Sequence, residues 1–558
     1  MTDVGKSSFS TSLRTVPAEL RNHYLEAGAW TEDTIGGFLF ESLSRHRKLE
    51  LHVWSETHPY VGTFGEALDA SLRVAKALQD LGIREGDAVA TQLPNWFEAI
   101  VAFWATVFCG AVPVPIVHFY GAKEAQYILQ RTGAKMLVIA DQFRSANYVE
   151  QLDGYRGTLT DLEHVVLVSG GSSARVPEGG AIPFPELLAS TAMERPVDRD
   201  PDSPALIAYT SGTTSAPKGV VHAHRSLVPD VDLGRRWRWY EDERPGLVAT
   251  PISHASGLIS ALIKPAYFGR DIHMMDIFQA DKALDIMRRK NLQLQTGPPY
   301  FLTSILDSPT FEPDDIELVR YQVVGGSPIP DATVERAALL GVCLSRAYGS
   351  TEMFTLTTSG FDEPADRRIQ TDGHPLEFCE IRICEPNGEA MALGTPGEIW
   401  ARSPHLFIGY MDAELTERFF TEDGWYKTGD VGFLDEQGYL KVTDRVQDII
   451  IRGGENISAA EVEDLVMRYR GVAEVAVVAA PDELFVERPF AFVRLYPDAD
   501  EFTLEELREY LIDAGLGRQK CPEGLQFVSD FPRTPSTKVQ KFKLRQELRE
   551  RATGTRGP

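Results

Sequence analysis

Cysteine is scarce in this chain: five residues in 558, at positions 109, 343, 379, 384 and 521. None of them sits in a paired metal-binding spacing, and so few thiols cannot form a disulfide scaffold. Buried, reduced cysteines are the expectation. Positive charge is also in short supply. Lys and Arg number 56 against 81 Asp and Glu, a formal net charge of -25. That balance argues against a general nucleic-acid or anionic-membrane binder and confines any basic site to a local pocket. The opening residues Met-Thr-Asp-Val-Gly-Lys-Ser-Ser lack the apolar stretch of a signal peptide, so a cytoplasmic protein is expected. One long run, Ala99 to Val117, carries no charge. Gly110, Pro113 and Pro115 interrupt it, which predicts a buried helix of about eleven residues feeding a buried strand rather than a membrane span. Internal repeats and coiled-coil heptads are missing too.

What the chain does have is apolar content, 43%, enough for large cores and more than one domain. Residues 1–60 read as an N-terminal extension with helical pieces. From about 62, helical and strand patterns alternate. Thr63 with Glu66 forms a capping box, followed by Leu68, Leu72, Ala75 and Leu78 on one helix face. Ala134–Ala140 and Val165–Val168 read as buried strands, and 170–182 as a loop. A second βα region spans 205 to about 360, and strands dominate 380–440. The last hundred residues read as a compact helix–strand–strand–helix unit, with capping boxes at Ser458/Glu461 and Thr503/Glu506 and a frayed tail from about 546.

The most informative stretch is Tyr209-Thr-Ser-Gly-Thr-Thr-Ser-Ala-Pro-Lys-Gly-Val220. A short apolar strand, Ala205–Ala208, opens into a loop of small hydroxyl residues that ends in Pro-Lys-Gly. Such a loop offers backbone N–H groups, hydroxyls and one ammonium to an oligophosphate. It is not a Walker A loop, whose order is Gly-Lys-Ser/Thr. Further along, Gly325-Gly326-Ser327-Pro328 follows a strand and permits close approach by a flat ligand. Tyr348-Gly349-Ser350-Thr351-Glu352 combines a ring that can stack on a base, hydroxyls, and a carboxylate able to hold Mg²⁺. Asp430, in Tyr426-Lys-Thr-Gly-Asp430, can accept both hydroxyls of a ribose. Asp444-Arg-Val-Gln-Asp448 follows a strand, and Gly453-Gly454 precedes a helix. Pro532-Arg-Thr-Pro-Ser-Thr-Lys538 lies near the end, and Pro251-Ile-Ser-His254-Ala-Ser-Gly257 forms another loop. His222 and His224 lack a third ligand type, which argues against zinc.

Together and in this order, these segments resemble the adenylate-forming superfamily of acyl-CoA synthetases, luciferases and peptide-synthetase adenylation domains, over roughly residues 60–545. The resemblance implies a large α/β N-terminal domain (βα subdomains plus a distorted β-barrel region), residues 1–443. It also implies a small mobile α+β lid, 444–545, and a flexible tail, 546–558. It implies an ATP-dependent carboxylic acid–CoA ligase using ATP, Mg²⁺ and coenzyme A on a fatty, alicyclic, aromatic or sterol side-chain acid. Thr210, Ser211, Gly212, Thr213, Thr214 and Lys218 would face phosphates. Gly325, Gly326, Ser327, Tyr348, Gly349 and Ser350 would surround adenine, with Thr351 on the α-phosphate and Glu352 on the metal. Asp430 and Arg445 would hold the ribose, Asp444 would be the hinge, and Gly453 and Gly454 would edge the pantetheine tunnel. His254 would line the acid pocket, and Lys538 would be the catalytic lysine. The chain departs from the family pattern at Ser215, Gln447, Ala459 and Thr537. Two alternatives stay open: transfer to a carrier-protein thiol, and an inactive ATP-binding regulator. No nucleic-acid partner is implied, and the chain would be a monomer or homodimer.

Overall fold

The structure, a computed structural model, describes residues 13–169, 175–210, 217–228, 243–295, 297–326, 331–452, 455–482, 485–533 and 539–552. Its first sheet is five-stranded and parallel, in the spatial order Val112–Pro115, Ala88–Gln92, Met136–Ala140, His164–Val168, Ile182–Pro183. The helix Phe64–Asp80 starts with both capping-box bonds of Thr63 and Glu66 in place, and Leu68, Leu72, Ala75 and Leu78 are buried as their spacing predicts. It packs on the helix Phe97–Phe108, in which every residue from Ala99 to Phe108 is buried. That enclosure explains the charge-free run: the helix has no face to give to water. The run then turns at Gly110 (φ 81°) into Val112–Pro115, an edge strand of its sheet, where two prolines cost no ladder bonds on the open side. No described helix is long and apolar enough to cross a membrane.

The second sheet runs Gln293–Leu294, Gly246–Val248, Ile272–Met275, Glu50–Trp54, Tyr60–Thr63, parallel except for the last pair. The reading of residues 1–60 as an extension is corrected here. Glu50–Trp54 is an inner strand of this sheet, and the helix Ile35–Arg45 puts Ile35, Leu39 and Leu43 fully inside the largest core. Truncating any of the three to Ala would cost about 2–5 kcal/mol, the price of a core cavity.

A third sheet is a hairpin, Pro204–Thr210 against Lys218–Ala223, with Gly409–Tyr410 beside it. The fourth joins Tyr321–Gly325 in parallel to Cys343–Ser350, then turns antiparallel through Phe354–Thr358. A bridge from Gly297 to Val324 ties it to the second sheet. The fifth, antiparallel throughout, comprises Glu380–Cys384, Gly397–Arg402, Tyr426–Leu434 and Leu440–Arg445.

The C-terminal unit has its own sheet and its own core around Val462, Val477, Val493 and Leu507. Thr503 and Glu506 close a full capping box; Ser458 accepts the bond from the Glu461 N–H, which is half of the expected pair. The tail expected from 546 is instead helical to Ala552, because Leu544 and Leu548 bury against Ala476, Val478 and Phe492. Two ion pairs hold this helix: Arg545 with Asp448 at 2.5 Å and Lys541 with Glu463 at 2.8 Å. Four of the five cysteines are buried and none is in a disulfide.

His224, 3% exposed, accepts a bond from the Ile35 N–H at 3.3 Å. Burial, helped by nearby Arg199, pushes its pKa from 6.5 down to about 3. The unfolded chain therefore binds a proton there below pH 6.5 that the folded chain refuses until about pH 3. Stability should fall as pH drops through that window, by at most about 1.4 kcal/mol per pH unit for this group. Urea midpoints measured between pH 7 and 4 should show the decline, and His224→Gln should make it shallower, leaving the share of the buried His118 and His273.

Candidate functional site

The strand Cys343–Ser350 organises the site. Its parallel register sets Gly325 beside Ala347, so the Gly325–Gly326 turn lies next to the backbone entering Tyr348. A Cβ on Gly325 would come 2.7 Å from the Ala347 carbonyl oxygen, while at Gly326 (φ +80°) it would meet nothing within 4 Å. The turn is thus tight on the sheet side and open on the other, as a flat ligand requires. On its other edge the strand folds back onto Phe354–Thr358, with a bulge between Tyr348 and Gly349. A Cβ on Gly349 would stand 1.6 Å from the Phe354 carbonyl oxygen, so only glycine fits.

Thr351 and Glu352 sit in the hairpin turn, which is pinned from three directions. His222, fully buried, donates from Nε2 to the Thr351 carbonyl at 2.7 Å, faces Ser226 Oγ with Nδ1 at 3.2 Å, and stacks on Phe354 at 4.3 Å. The Phe407 N–H donates to the Glu352 carbonyl at 2.8 Å. The Tyr410 hydroxyl donates to Glu352 Oε1 at 2.9 Å and lies 3.2 Å from the Tyr426 hydroxyl. Burial, reinforced by the Glu352 carboxylate, pushes the Tyr410 phenol far above its usual range, so it stays a donor.

Beside this turn, the Tyr348 hydroxyl donates to Asp430 Oδ2 at 2.6 Å, and Arg445 Nε meets Asp430 Oδ1 at 2.9 Å. The last pair is set by sheet register, since Asp430 and Arg445 are cross-strand partners. Burial and Asp430 together raise the Tyr348 pKa, and Asp430 in turn raises that of Arg445. Lys218 arrives by register too: it pairs with Thr210 across the base of the hairpin, two residues before Val220, which faces Tyr410. Its ammonium lies over the rings of Phe419 (4.6 Å) and Tyr410 (5.6 Å). Burial lowers its pKa and the Glu352 carboxylate works against that shift.

His254 caps the helix that follows it; its Nδ1 lies 2.9 Å from Ser256 Oγ. Gly257 is required in this loop because a Cβ there would sit 2.0 Å from the Pro251 carbonyl oxygen. The loop is clamped by buried Asn95, whose amide donates to the Thr250 and Met275 carbonyls and accepts from the Ile252 N–H at 2.9 Å. Thr250 in turn touches the site of Gly297, which bridges to the strand ending in Gly325.

The structure therefore gathers Thr210, Lys218, Gly325, Gly326, Tyr348, Gly349, Ser350, Thr351, Glu352, Asp430 and Arg445 around one edge, with the His254 loop adjoining. Ser211, Gly212, Thr213, Thr214, Ser215, Ser327, Gly453, Gly454, Thr537 and Lys538 lie outside the described residues. Sequence reading did not single out Tyr410, His222 as a support, or Asn95. Each acts through a partner far along the chain, 58, 129 and 155 residues away respectively.

The residues present fit a magnesium nucleotide. Glu352 is a nearly buried carboxylate with one hydrogen bond to Oε1, Lys218 is an ammonium beside it, and a carboxylate such as Asp430 has four lone-pair positions, enough to take ribose hydroxyls besides its two present partners. Glu50, His52 and His273 also cluster closely enough to share a cation, but they stand on the second sheet and Lys290 already meets Glu50 at 2.9 Å.

The pattern of AMP-binding enzymes matches residues 41–411, and that of the AMP-binding enzyme C-terminal domain matches 461–538. The chain belongs to the AMP-binding enzyme family. Within it, this protein is an acyl-CoA synthetase, an AMP-forming acid–thiol ligase. It is 29% identical to the medium-chain fatty-acid–CoA ligase of Escherichia coli (strain K12), over 96% of this chain and 94% of that protein. It is 32% identical to a methyl-dioxo-octahydro-indenyl-propanoyl:CoA ligase of Rhodococcus jostii, over 87% of this chain and 93% of the other. Among solved structures, ATP-bound MatB from Rhodopseudomonas palustris superposes with a TM-score of 0.81 at 28% identity, covering 92% of this chain and 99% of that one. These likenesses bear out the expected α/β architecture with its smaller C-terminal unit, and they support the use of ATP and CoA by this ligase.

Gly349→Ala should drive the hairpin turn away from Phe354 and misplace Thr351 and Glu352. Pyrophosphate release should drop at least about 100-fold, the scale of an ångström-level misplacement, and the melting temperature should fall. A steady-state coupled assay with calorimetry on the same sample checks both.

Proposed function

We propose that this ligase converts a free carboxylic acid of the fatty, alicyclic, aromatic or sterol side-chain class into its CoA thioester in two steps. The acid carboxylate attacks the α-phosphorus of ATP, giving the acyl-adenylate and pyrophosphate. The CoA thiol then attacks the activated carbonyl and AMP leaves. The observation that carries the reading is the meeting of two bonded groups, Glu352–Tyr410–Tyr426 beside Lys218 and Tyr348–Asp430–Arg445, close enough for Glu352 to act electrostatically on Arg445. The printed substrates of the relatives, a medium-chain fatty acid and a fused-ring propanoate, support the substrate class.

The roles carry over, position by position, from the resemblance to the adenylate-forming family. Gly325 and Gly326 admit the adenine and Tyr348 stacks on it. Asp430 and Arg445 hold the ribose. Thr210, Ser211, Gly212, Thr213, Thr214 and Lys218 take the phosphates. Glu352 would hold Mg²⁺, which supplies charge neutralisation on phosphate oxygens. Thr351 contacts the α-phosphate, and His254 orients the acid. Lys538 bridges the carboxylate and the α-phosphate as negative charge builds. Residues 444–545 form the lid and pivot at Asp444. That residue is the last but one of the strand Leu440–Arg445, and its carboxylate accepts from the Ala460 N–H, in the helix beginning at Ala459, at 3.5 Å. The pivot exchanges the Lys538 loop for the Gly453–Gly454 edge between steps. Catalysis here is positioning and electrostatics, with no covalent enzyme intermediate.

Lys538→Ala should keep ATP affinity and lose adenylate formation by about 10²–10³-fold. Nucleotide binding by calorimetry beside acid-dependent pyrophosphate exchange checks it; an exchange rate near wild type refutes the role. Pyrophosphate release across fatty, alicyclic and aromatic acids with CoA present identifies the acid. Release that continues with no consumption of free CoA would instead favour a carrier thiol as acceptor.

A further inference from the structure

Ahead of the helix Ile35–Arg45 the chain forms an arm: an irregular start at Arg14, the helix Ala18–Glu26, then a turn through Trp30 to Thr34. The arm grips one distant segment, 404–408, at three carbonyls. Trp30 Nε1 donates to the Pro404 carbonyl at 2.7 Å, Arg14 Nε to the Phe407 carbonyl at 3.3 Å, and the Arg14 N–H to the Ile408 carbonyl at 2.9 Å. The two side-chain bonds span 374 and 393 residues of sequence, so no local pattern announces them. A second grip falls on the strand of Lys218 and the turn after it. There Arg225 donates to the Thr31 carbonyl at 2.5 Å and to Asp202 at 2.8 Å, and Arg21 takes the other oxygen of Asp202 at 2.6 Å.

The segment held by the arm also holds the site. Phe407 is the relay: its carbonyl accepts from Arg14, and its N–H donates to the Glu352 carbonyl at 2.8 Å. The next N–H, of Ile408, donates to the Val221 carbonyl at 2.8 Å, one residue before the His222 that fixes Thr351. The Arg14 guanidinium lies 4.2 Å over the Phe420 ring, which packs on Phe407 at 5.1 Å. Phe407 in turn meets the Tyr410 ring edge-on at 4.8 Å, and the Tyr410 hydroxyl holds Glu352 Oε1. Both ends of Glu352, backbone and carboxylate, thus rest on groups that lean on Arg14 contacts.

Arg14 is an unfavourable choice for a plain brace. Its Nη1 is buried and meets no hydrogen-bond partner among the described residues, and burial lowers its pKa from 12.5 to about 10. A Met or Leu side chain would cover Phe420 without that desolvation. What only the guanidinium supplies is a planar donor that stacks on Phe420 while it bonds the Phe407 carbonyl.

We propose that Arg14 is a positioning residue of the adenylation site, acting through Phe407 to fix Glu352 for Mg²⁺, and that the arm of residues 14–34 is the frame that keeps it there. The assignment rests on the reading of Glu352 as the metal-holding carboxylate and deepens it by naming what orients that side chain.

The test is ATP binding by calorimetry with and without Mg²⁺, beside acid-dependent pyrophosphate release, on wild type, Arg14→Met, Arg14→Lys, Trp30→Phe and Glu352→Gln. Arg14→Met should leave Mg²⁺-free ATP binding unchanged and shrink the gain in affinity that Mg²⁺ brings by about threefold or more, the scale of one hydrogen bond. Its kcat should fall about tenfold with the KM for the acid unchanged, short of the loss that an ångström-level misplacement brings. Arg14→Lys keeps the charge but not the planar fork and should fall between Arg14→Met and wild type. Trp30→Phe keeps the ring, loses the Pro404 bond, and should shift the Mg²⁺ gain the same way by less; it is the readout should Arg14→Met fold poorly. A wild-type Mg²⁺ gain and kcat in these variants, with the gain abolished in Glu352→Gln, makes the arm a brace only and overturns the assignment alone, whatever happens to the melting temperature. A Glu352→Gln protein that retains the full Mg²⁺ gain overturns the metal role of Glu352 itself, and this assignment with it.

Discussion

The register of one strand, Cys343–Ser350, sets the geometry of everything around it. Its parallel edge brings in Gly325 and its antiparallel edge folds back to place Thr351 and Glu352 in a turn. A slip by a single residue would send Tyr348 to the opposite face and carry its hydroxyl away from Asp430. The glycines police this register: Gly325 and Gly349 each leave no room for a Cβ against a neighbouring carbonyl. The strand is accordingly fixed by packing as much as by hydrogen bonds.

A protein of net charge -25 must still receive a polyanion. The site manages this by local arrangement. Arg445, Lys218 and Arg418 are cations near it, and the phenols of Tyr410 and Tyr348 contact Glu352 and Asp430. Tyr348, Tyr410 and Tyr426 are all held neutral by burial and neighbouring carboxylates. They orient the two acidic side chains without adding charge, and a neutral donor in a poorly solvated site retains its full effect.

Much of this was legible in the sequence because the signals were local. The Thr63/Glu66 and Thr503/Glu506 caps, the Phe97–Phe108 helix ending at Gly110, and the strand before Gly325 all depend on residues within a few positions of one another. The motif residues, too, were recognisable as short runs. Residues 1–60 were misjudged because the burial of Ile35, Leu39 and Leu43 depends on helices and strands that follow much later. The helix to Ala552 was missed for a similar reason: its anchoring partners Asp448 and Glu463 are 97 and 78 residues away from Arg545 and Lys541. Asn95, His222 and Tyr410 look like ordinary core residues until the fold shows what they hold.

Asp430 illustrates a last point. It is 6% exposed and already engaged by a phenol and a guanidinium before any nucleotide arrives. Its dehydration therefore belongs to the folding reaction, where hundreds of other contacts offset it, and not to the encounter with ATP. In the ribose-holding role proposed above, Asp430 would meet the nucleotide with most of its water already shed and its direction already chosen, leaving little ordering to subtract from affinity.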